Sequence, residues 1–416
     1  MTEAEVFMLG SAAFLLGLSL ICANLLLLRK THRRVYLPLA LFFVAEALNC
    51  CLTIFSAADG PETAPVLVKL ANAITVPIAM TQAPLFWLYV RALTSEDDEE
   101  RVRYKMLHLL PFFAATVFVW LYLKLPMALI EGAGIDIITP WIQFLILSVY
   151  AVLVLFYVQV AIYLVITIRL LVTYNSRLKD LFASTESREL NWVWWIALVG
   201  AAFWVFNVAV LLLKLVGLWD WATPAINPEV VNQVISGSLI WVIALWGLRQ
   251  NPGLLREIDE GDRAELQASK ETAKYKNSAL TSDHAKRIAA KIERAMMRDL
   301  LYRDPNLSLW DLAKHIGATS NYVSQTLNET LGESFFDYVN RWRIKDAVQQ
   351  MDTSDETVLV LAYDVGFNSR SSFYKAFRRE TGMTPSQFRR HPTRSTGVGG
   401  SAEIHDFSPR RPVVNE

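Results

Sequence analysis

Residues Leu361 to Arg390 read LAYDVGFNSRSSFYKAFRRETGMTPSQFRR. With Val358 ahead of them, Leu361, Ala362 and Val365 fall at i, i+3, i+4 and i+7, the spacing of a helix that buries one face, and Gly366 can take the left-handed conformation that ends it. A tight turn must follow. Ser369 then caps a second helix from Arg370 to Thr381, whose Phe373 and Phe377 point inward and leave Arg370, Ser371, Tyr374, Lys375 and Arg378 outward. Gly382 closes that helix. Thr384, Pro385 and Gln387 supply the N-cap, first-turn proline and capping-box partner of a short last helix that buries Phe388. Two short helices meeting at a tight turn, the second with a cationic outer face, make a helix-turn-helix suited to a DNA groove.

The same device occurs about fifty residues earlier. Leu309, Leu312, Ala313 and Ile316 repeat the helical spacing, Gly317 precedes Gly366 by 49 positions, and the matching Ser320 is expected to cap a helix running to Leu331 before Gly332. Between the two units Ser334 to Met351 reads as one helix, apolar at Phe335, Tyr338, Val339, Trp342, Ala347 and Val348, long enough to hold both rigidly.

Ala362, Gly366, Phe367, Phe373, Phe377, Gly382, Thr384, Pro385, Phe388 and Arg389 fill every position of A-x3-GF-x5-F-x3-F-x4-G-x-[ST]-P-x2-[FY]-R. In this the region from about 282 to 391 resembles the AraC/XylS-type DNA-binding domain, with its two helix-turn-helix units and connecting helix. Residues Tyr275 to Leu280 look like the linker of membrane-anchored members of that group. The resemblance implies double-stranded promoter DNA as a partner, with RNA polymerase a further one.

Residue type divides the expected DNA contacts. Arg370 and Lys375 suit guanine edges, Ser371 and Tyr374 bases or phosphates, and Arg378, Arg379 and Arg389 the backbone. In the first unit Asn321, Ser324 and Gln325 suit adenine edges, and Asn328 phosphate, but none carries positive charge. Residues 370 to 390 hold six Lys or Arg against one Glu, whereas 321 to 331 hold none against Glu329. The second unit is therefore expected to supply most of the electrostatic affinity. A rigid connecting helix would place the two in successive major grooves, about one turn or ~34 Å apart.

Composition accounts for the remainder. The chain has 416 residues, 53% apolar and 19% charged, and its apolar excess is confined to the first 250. Seven runs, near 6 to 28, 35 to 57, 66 to 91, 106 to 125, 140 to 168, 191 to 216 and 230 to 249, each approach the ~20 residues that a spanning helix needs. Glu3 and Glu5 stand where a cleavable signal peptide would be basic, so none is expected. Loops 29 to 34, 91 to 105 and 169 to 190 carry four Lys or Arg each, and loops 58 to 65, 126 to 139 and 217 to 229 carry none. Positive charge stays cytoplasmic, which places the N-terminus outside and everything after Arg249 in the cytosol, the side on which DNA lies.

The expected fold is therefore all-α: a seven-transmembrane-helix bundle over 1–250 in a bacterial cytoplasmic membrane, a cytosolic linker over 251–281, a double helix-turn-helix domain over 282–391 and a disordered tail over 392–416. Asn251 to about Ser282 is rich in Glu, Lys, Asp, Ser and Ala and opens on an Asn-Pro-Gly breaker, as a linker should. Fully extended it would reach ~100 Å.

Ionisable groups at membrane depth are costly, so each is a functional candidate. Glu46 sits near the middle of the second run, while Lys69, Lys124 and Lys214 lie near the outer ends of theirs and can snorkel to the headgroups. Asn49, Asn72, Gln82, Gln143, Gln159 and Asn207 either line a polar cavity with Glu46 or make interhelical hydrogen bonds. Pro77, Pro84 and Pro111 are expected to free backbone carbonyls within their helices.

Other features carry no chemistry. The acidic run Glu96 to Glu100 reads as a solvated turn, His108 as a packed or interfacial side chain, and Cys22, Cys50 and Cys51 as small apolar fillers. Asn232 to Trp246 lacks the lysine that a retinal receptor needs, and no Walker loop, HExxH or GxSxG is present. No enzyme, cofactor or metal site is expected. The function that follows is a one-component regulator, a homodimer that senses an external or membrane-borne signal of unknown identity and binds promoter DNA. The alternative is a transporter or membrane enzyme with an attached self-regulating DNA-binding domain.

Overall fold

The computed structural model describes residues 3–29, 32–58, 65–95, 108, 110–123, 140–186, 188–216, 228–250, 281–353 and 356–390. The acidic run 96–100, Lys124, the linker 251–280 and the tail from 391 lie outside the described residues, as do the side chains of Lys69, Asn72 and Lys214. Among the described residues the structure is helical apart from one isolated β-bridge. The chain divides into two compact units, Met1–Val172 with Leu190–Leu255, and Thr173–Glu189 with Arg256–Glu416.

The first unit contains α1 (Glu3–Leu28), α2 (Arg33–Ala58), α3 (Pro65–Thr94), α4 (Leu110–Leu123), most of α5 (Pro140–Leu181), α6 (Asn191–Leu215) and α7 (Pro228–Arg249). Six of these are long and apolar enough to cross a membrane; α4, at 14 described residues, is not. Their outward faces are hydrophobic, with Leu147 68%, Trp195 66% and Leu198 60% exposed. Pro77 and Pro84 lie inside α3 as expected. Pro111 is the second described residue of α4, and the residue four positions before it lies outside the described residues.

Polar contacts tie these helices together. Gln159 on α5 donates to the Met80 carbonyl of α3 at 2.8 Å, and Trp204 on α6 donates to the Tyr157 carbonyl of α5 at 2.9 Å. Tyr89 on α3 reaches the Gly247 carbonyl of α7 at 3.1 Å, Tyr36 the Gln250 carbonyl at 2.6 Å and Arg29 the Leu248 carbonyl at 3.2 Å.

The second unit continues with α8 (Ser282–Met297), a 3-10 turn at Leu301–Arg303, α9 (Leu309–Ile316), α10 (Ser320–Gln325) running on as a π-helical turn over Thr326–Leu331, the connecting helix α11 (Phe335–Thr353), α12 (Val358–Asp364), α13 (Arg370–Thr381) and α14 (Pro385–Arg390). Two apolar clusters share α11. Phe335, Tyr338 and Val339 pack with α8, α9 and α10, and Ile344, Ala347 and Met351 pack with α12 and α13.

The repeat is written into the backbone hydrogen bonds. After α12, Gly366 N–H donates to Tyr363 O and Phe367 N–H to Ala362 O; after α9, Gly317 N–H donates to Lys314 O and Ala318 N–H to Ala313 O. This is the Schellman ending twice, with both glycines at positive φ. The following caps differ. Ser369 caps α13 through the Ser372 N–H, but the cap of α10 is Thr319, through the Tyr322 N–H, and not the expected Ser320. The first unit's turn is one residue shorter, so carrying the 49-residue offset forward overshoots the cap by one.

Gly366 is doubly constrained. Its φ is +96°, and a Cβ there would sit 2.7 Å from the carbonyl oxygens of both Tyr302 and Arg303. Gly382, at φ +75°, has no atom within 4 Å of its would-be Cβ. Gly366→Ala is therefore expected to destabilise the second unit by about 3 kcal/mol, and Gly382→Ala by only the ~1 kcal/mol of a left-handed alanine. Hydrogen-exchange protection of α12 and α13 in the full chain measures both, and equal losses would contradict the crowding argument.

Candidate nucleic-acid interface

The second helix-turn-helix is held from beneath by aromatic packing. Phe373 and Phe377 are fully buried, in edge or tilted contact with Phe367, Tyr374 and Phe388. That fixes the opposite face of α13. Arg370, Ser371, Lys375 and Arg378 are exposed on it, and Tyr374 is half-buried. Arg370 donates to the Tyr374 hydroxyl at 3.1 Å, with its guanidinium carbon 4.9 Å from the ring centre. The same hydrogen bond holds the Tyr374 phenol below its ordinary pKa. The outcome is a planar donor stacked on an aromatic ring at the start of the helix, which reduces the rotamer freedom Arg370 would lose on binding.

Two of the expected phosphate ligands already have protein partners. Arg379 bridges Asp337 on α11 and bonds Glu380 at 2.9 Å, bracing α13 against the connecting helix. Arg389 donates to the Glu356 carbonyl at 2.6 Å and is half-buried. Arg378 is exposed on the same helix.

In the first unit Asn321 and Asn328 are exposed, and Ser324 and Gln325 are half-buried. Asn328 donates to Ser324 at 3.4 Å and Gln325 to Glu329 at 2.9 Å, so these polar groups are cross-linked along one face. The widened π-turn from Thr326 moves Asn328 off the α-helical register that the sequence suggested.

Sequence reasoning passed over Arg343. It is fully buried in the middle of α11 and is among the largest buried side chains. It donates to Tyr302 O at 2.7 Å, Asp304 O at 2.8 Å, Asn340 Oδ1 at 3.3 Å, Ala183 O at 3.2 Å and Ser184 Oγ at 3.1 Å. Burial pulls its pKa down to about 10, with Glu186 and Asp304 opposing, which leaves it charged at neutral pH. A signal was present: Val339, Arg343 and Ala347 are spaced by four, so Arg343 lies on the apolar stripe.

Within the first unit of the chain, Glu46 on α2 is 5% exposed, accepts a hydrogen bond from Gln82 on α3 and lies 3.6 Å from the Cys50 thiol. It borders a cavity of about 320 Å3 with Asn49, Thr53, Gln82, Gln233 and Ser236 among its polar neighbours. Of the amides expected near Glu46, Asn49 and Gln82 join it. Gln159 bonds Met80 O, Asn207 bonds Phe203 O and Gln143 is exposed. Cys22 and Cys50 are buried and Cys51 is exposed. His108 pairs with the Tyr163 hydroxyl at 2.6 Å and packs on Trp87. Among the described residues no three His, Cys, Asp or Glu side chains converge on a metal position.

The base-reading and anchoring roles expected of these side chains are separable by experiment. Arg370→Ala or Lys375→Ala should weaken binding to a selected DNA site by about 1 to 3 kcal/mol and relax base preference. Arg378→Ala should weaken selected and random DNA alike and lower the salt slope by about 1. Titration of both DNAs at two salt concentrations distinguishes them, and equal losses on both DNAs for Arg370→Ala would reduce it to a phosphate contact.

Comparison with known proteins places this unit. Residues 312–391 match a family model described as a helix-turn-helix domain. A protein from Streptomyces lividans described as an AraC-like transcription regulator is 35% identical over 96 residues, 22% of this chain and 31% of that protein. An uncharacterized HTH-type transcriptional regulator of Staphylococcus aureus (strain COL) is 30% identical over 137 residues, 33% of this chain and 17% of that protein. The chain thus matches less than a third of the length of these relatives. The C-terminal domain of AraT, a response regulator from Geobacillus stearothermophilus, aligns at 22% identity over 31% of this chain and 100% of that one, with a TM-score of 0.23 that carries no argument. By its motif, its paired units and these comparisons, the C-terminal part of this chain carries a helix-turn-helix domain similar to those of AraC-like transcription regulators.

Proposed function

We propose that the chain is a membrane-embedded one-component transcription regulator. Residues 1–250 form a seven-span bundle in a bacterial cytoplasmic membrane, N-terminus outside; 251–281 link it to the DNA-binding domain at 282–391, with a disordered tail beyond. One observation carries this reading: an AraC-type domain shares its chain with six helices long and apolar enough to span a bilayer. The seventh span is the run containing α4, and the basic loops 29–34, 91–105 and 169–190 support an odd number of crossings.

Asn321, Ser324, Gln325, Arg370, Ser371, Tyr374 and Lys375 read bases in this account, and Asn328, Arg378, Arg379 and Arg389 position the backbone. Arg379 and Arg389 would do so while still holding their protein partners. From Thr281 to Arg390 there are 16 Lys or Arg against 14 Asp or Glu, so one copy should hold DNA weakly. A homodimer, gaining affinity through effective concentration, is the working form, and RNA polymerase the partner at the promoter.

Glu46 is the sensing residue of this proposal. The cavity beside it is at the small end of ligand sites and mostly apolar, with one charged group, which suits a small molecule bearing a cationic or hydrogen-bonding head. A transporter with an attached regulator is the competing reading, and transport by purified protein in vesicles would favour it.

Phosphatase fusions test the topology: a periplasm-only reporter should be active after Gly60 and silent after Asn251, and the reverse would overturn the orientation. Glu46→Gln should change reporter output from a selected promoter while leaving membrane insertion and DNA binding by the solubilised protein unchanged. Output identical to the parent's would remove Glu46 from sensing.

A further inference from the structure

The stretch between α5 and α6 is built into the cytosolic unit. α5 ends at Leu181, and with no intervening residue Phe182 pairs with Ser308 in an antiparallel bridge just ahead of α9. Ala183 N–H donates to the Leu307 carbonyl at 3.1 Å. The Ala183 carbonyl accepts from Arg343 at 3.2 Å, and Ser184 Oγ accepts from the same guanidinium at 3.1 Å. Phe182 sits edge-on against Trp310 at 5.6 Å, with Arg188 over its other side at 3.9 Å. Ala183 is 1% exposed and belongs to the apolar cluster of the first helix-turn-helix, with Leu181 packed against it. Buried backbone pairing, a buried guanidinium and a ring contact together are a built docking site, not a passing touch.

The chain passes between the α1–α7 unit and the DNA-binding unit three times, at Val172–Thr173 within α5, at Glu189–Leu190 just ahead of α6 and at Leu255–Arg256. The last of these belongs to a stretch, 251–280, whose fully extended reach would be ~100 Å. The first is α5, whose last residues, from Thr173, belong to the DNA-binding unit and run without a break into the docked segment. An unbroken helix is stiff, so displacement of α5 is passed to whatever Phe182 to Ser184 hold.

We propose that residues 182–184 are the transmission element of this protein: the segment docked on Leu307 to Trp310, Asn340 and Arg343 carries movement of the membrane bundle to the DNA-reading helices, and the segment 251–280 serves only as a tether. The proposal rests on the regulator reading above and assigns its route. Asn340, whose amide reaches Ala183 O at 3.5 Å, and Arg343 then have a second role besides holding α11, since both read whether the loop is in place.

The test inserts the same six Gly/Ser residues at two places in the full chain in membranes, after Leu181 and after Ser269. The first insertion leaves every docking residue in the chain but makes its connection to α5 flexible; the second lengthens the tether. Reporter output from a DNA site selected by the parent should change at least fivefold for the insertion after Leu181 and less than twofold for that after Ser269. Output that changes equally for both, for neither, or only for the tether insertion overturns the proposal. Docking itself is read separately with a Phe182→Cys/Ser308→Cys pair in a chain whose Cys22, Cys50 and Cys51 are replaced by Ala. Antiparallel bridge partners lie within disulfide reach, so mild oxidation in membranes should cross-link the pair. Absence of the cross-link in protein that still binds the site shows that the loop is not docked. Should the parent select no DNA at all, the regulator reading is what fails, while the cross-link still decides whether the loop docks.

Discussion

The C-terminal unit of this protein depends on one buried charge. Arg343 is fully enclosed, and its guanidinium makes five hydrogen bonds to carbonyls and side chains from the 3-10 turn, the connecting helix and the segment after α5. Leaving a buried guanidinium without its partners costs several kcal/mol, so these segments are held together by the penalty of separating them. Arg343 lies on α11 between the residues that serve the two apolar clusters, and that shared helix joins one helix-turn-helix to the other. The Tyr302 carbonyl that it binds is also one of the two that crowd Gly366, so guanidinium and glycine meet the turn at 301–304 at the same oxygen.

That junction explains how a modestly charged domain can still read DNA. The aromatic floor under α13 and the Arg379 to Asp337 ion pair orient the face that bears Arg370 and Lys375. The first unit presents amides and hydroxyls with little charge of its own. In the proposed reading, residue type divides the labour, with attraction concentrated on one helix and hydrogen-bond readout shared between two.

Much of this was legible in the sequence because it is local. Helix periodicity, glycine endings and caps act over a few residues, so α9, α12, α13 and α14, both Schellman turns and the aromatic face of α13 could be read directly. The cap at Thr319 was missed because an internal repeat gives register only where turn lengths match. The π-turn at Thr326 arises from packing and leaves no local signature. Docking of Phe182 to Ser184 on residues some 120 to 160 positions later is a long-range event. Its trace was the Arg343 on an apolar stripe, which demands carbonyl partners without saying where they come from. Likewise, Asn49 and Gln82 could be placed with Glu46 only once helix rotation was known.

The central claim is that one chain both sits in a bilayer and reads a specific DNA sequence through two units held at fixed spacing. Full-length protein in lipid nanodiscs, presented with random-sequence duplexes and taken through repeated rounds of selection, tests it most directly. The account predicts enrichment of a site with two short elements about one helical turn, ~10 base pairs, apart. Retention of duplexes with no shared sequence, or failure of the chain to enter nanodiscs, would contradict it.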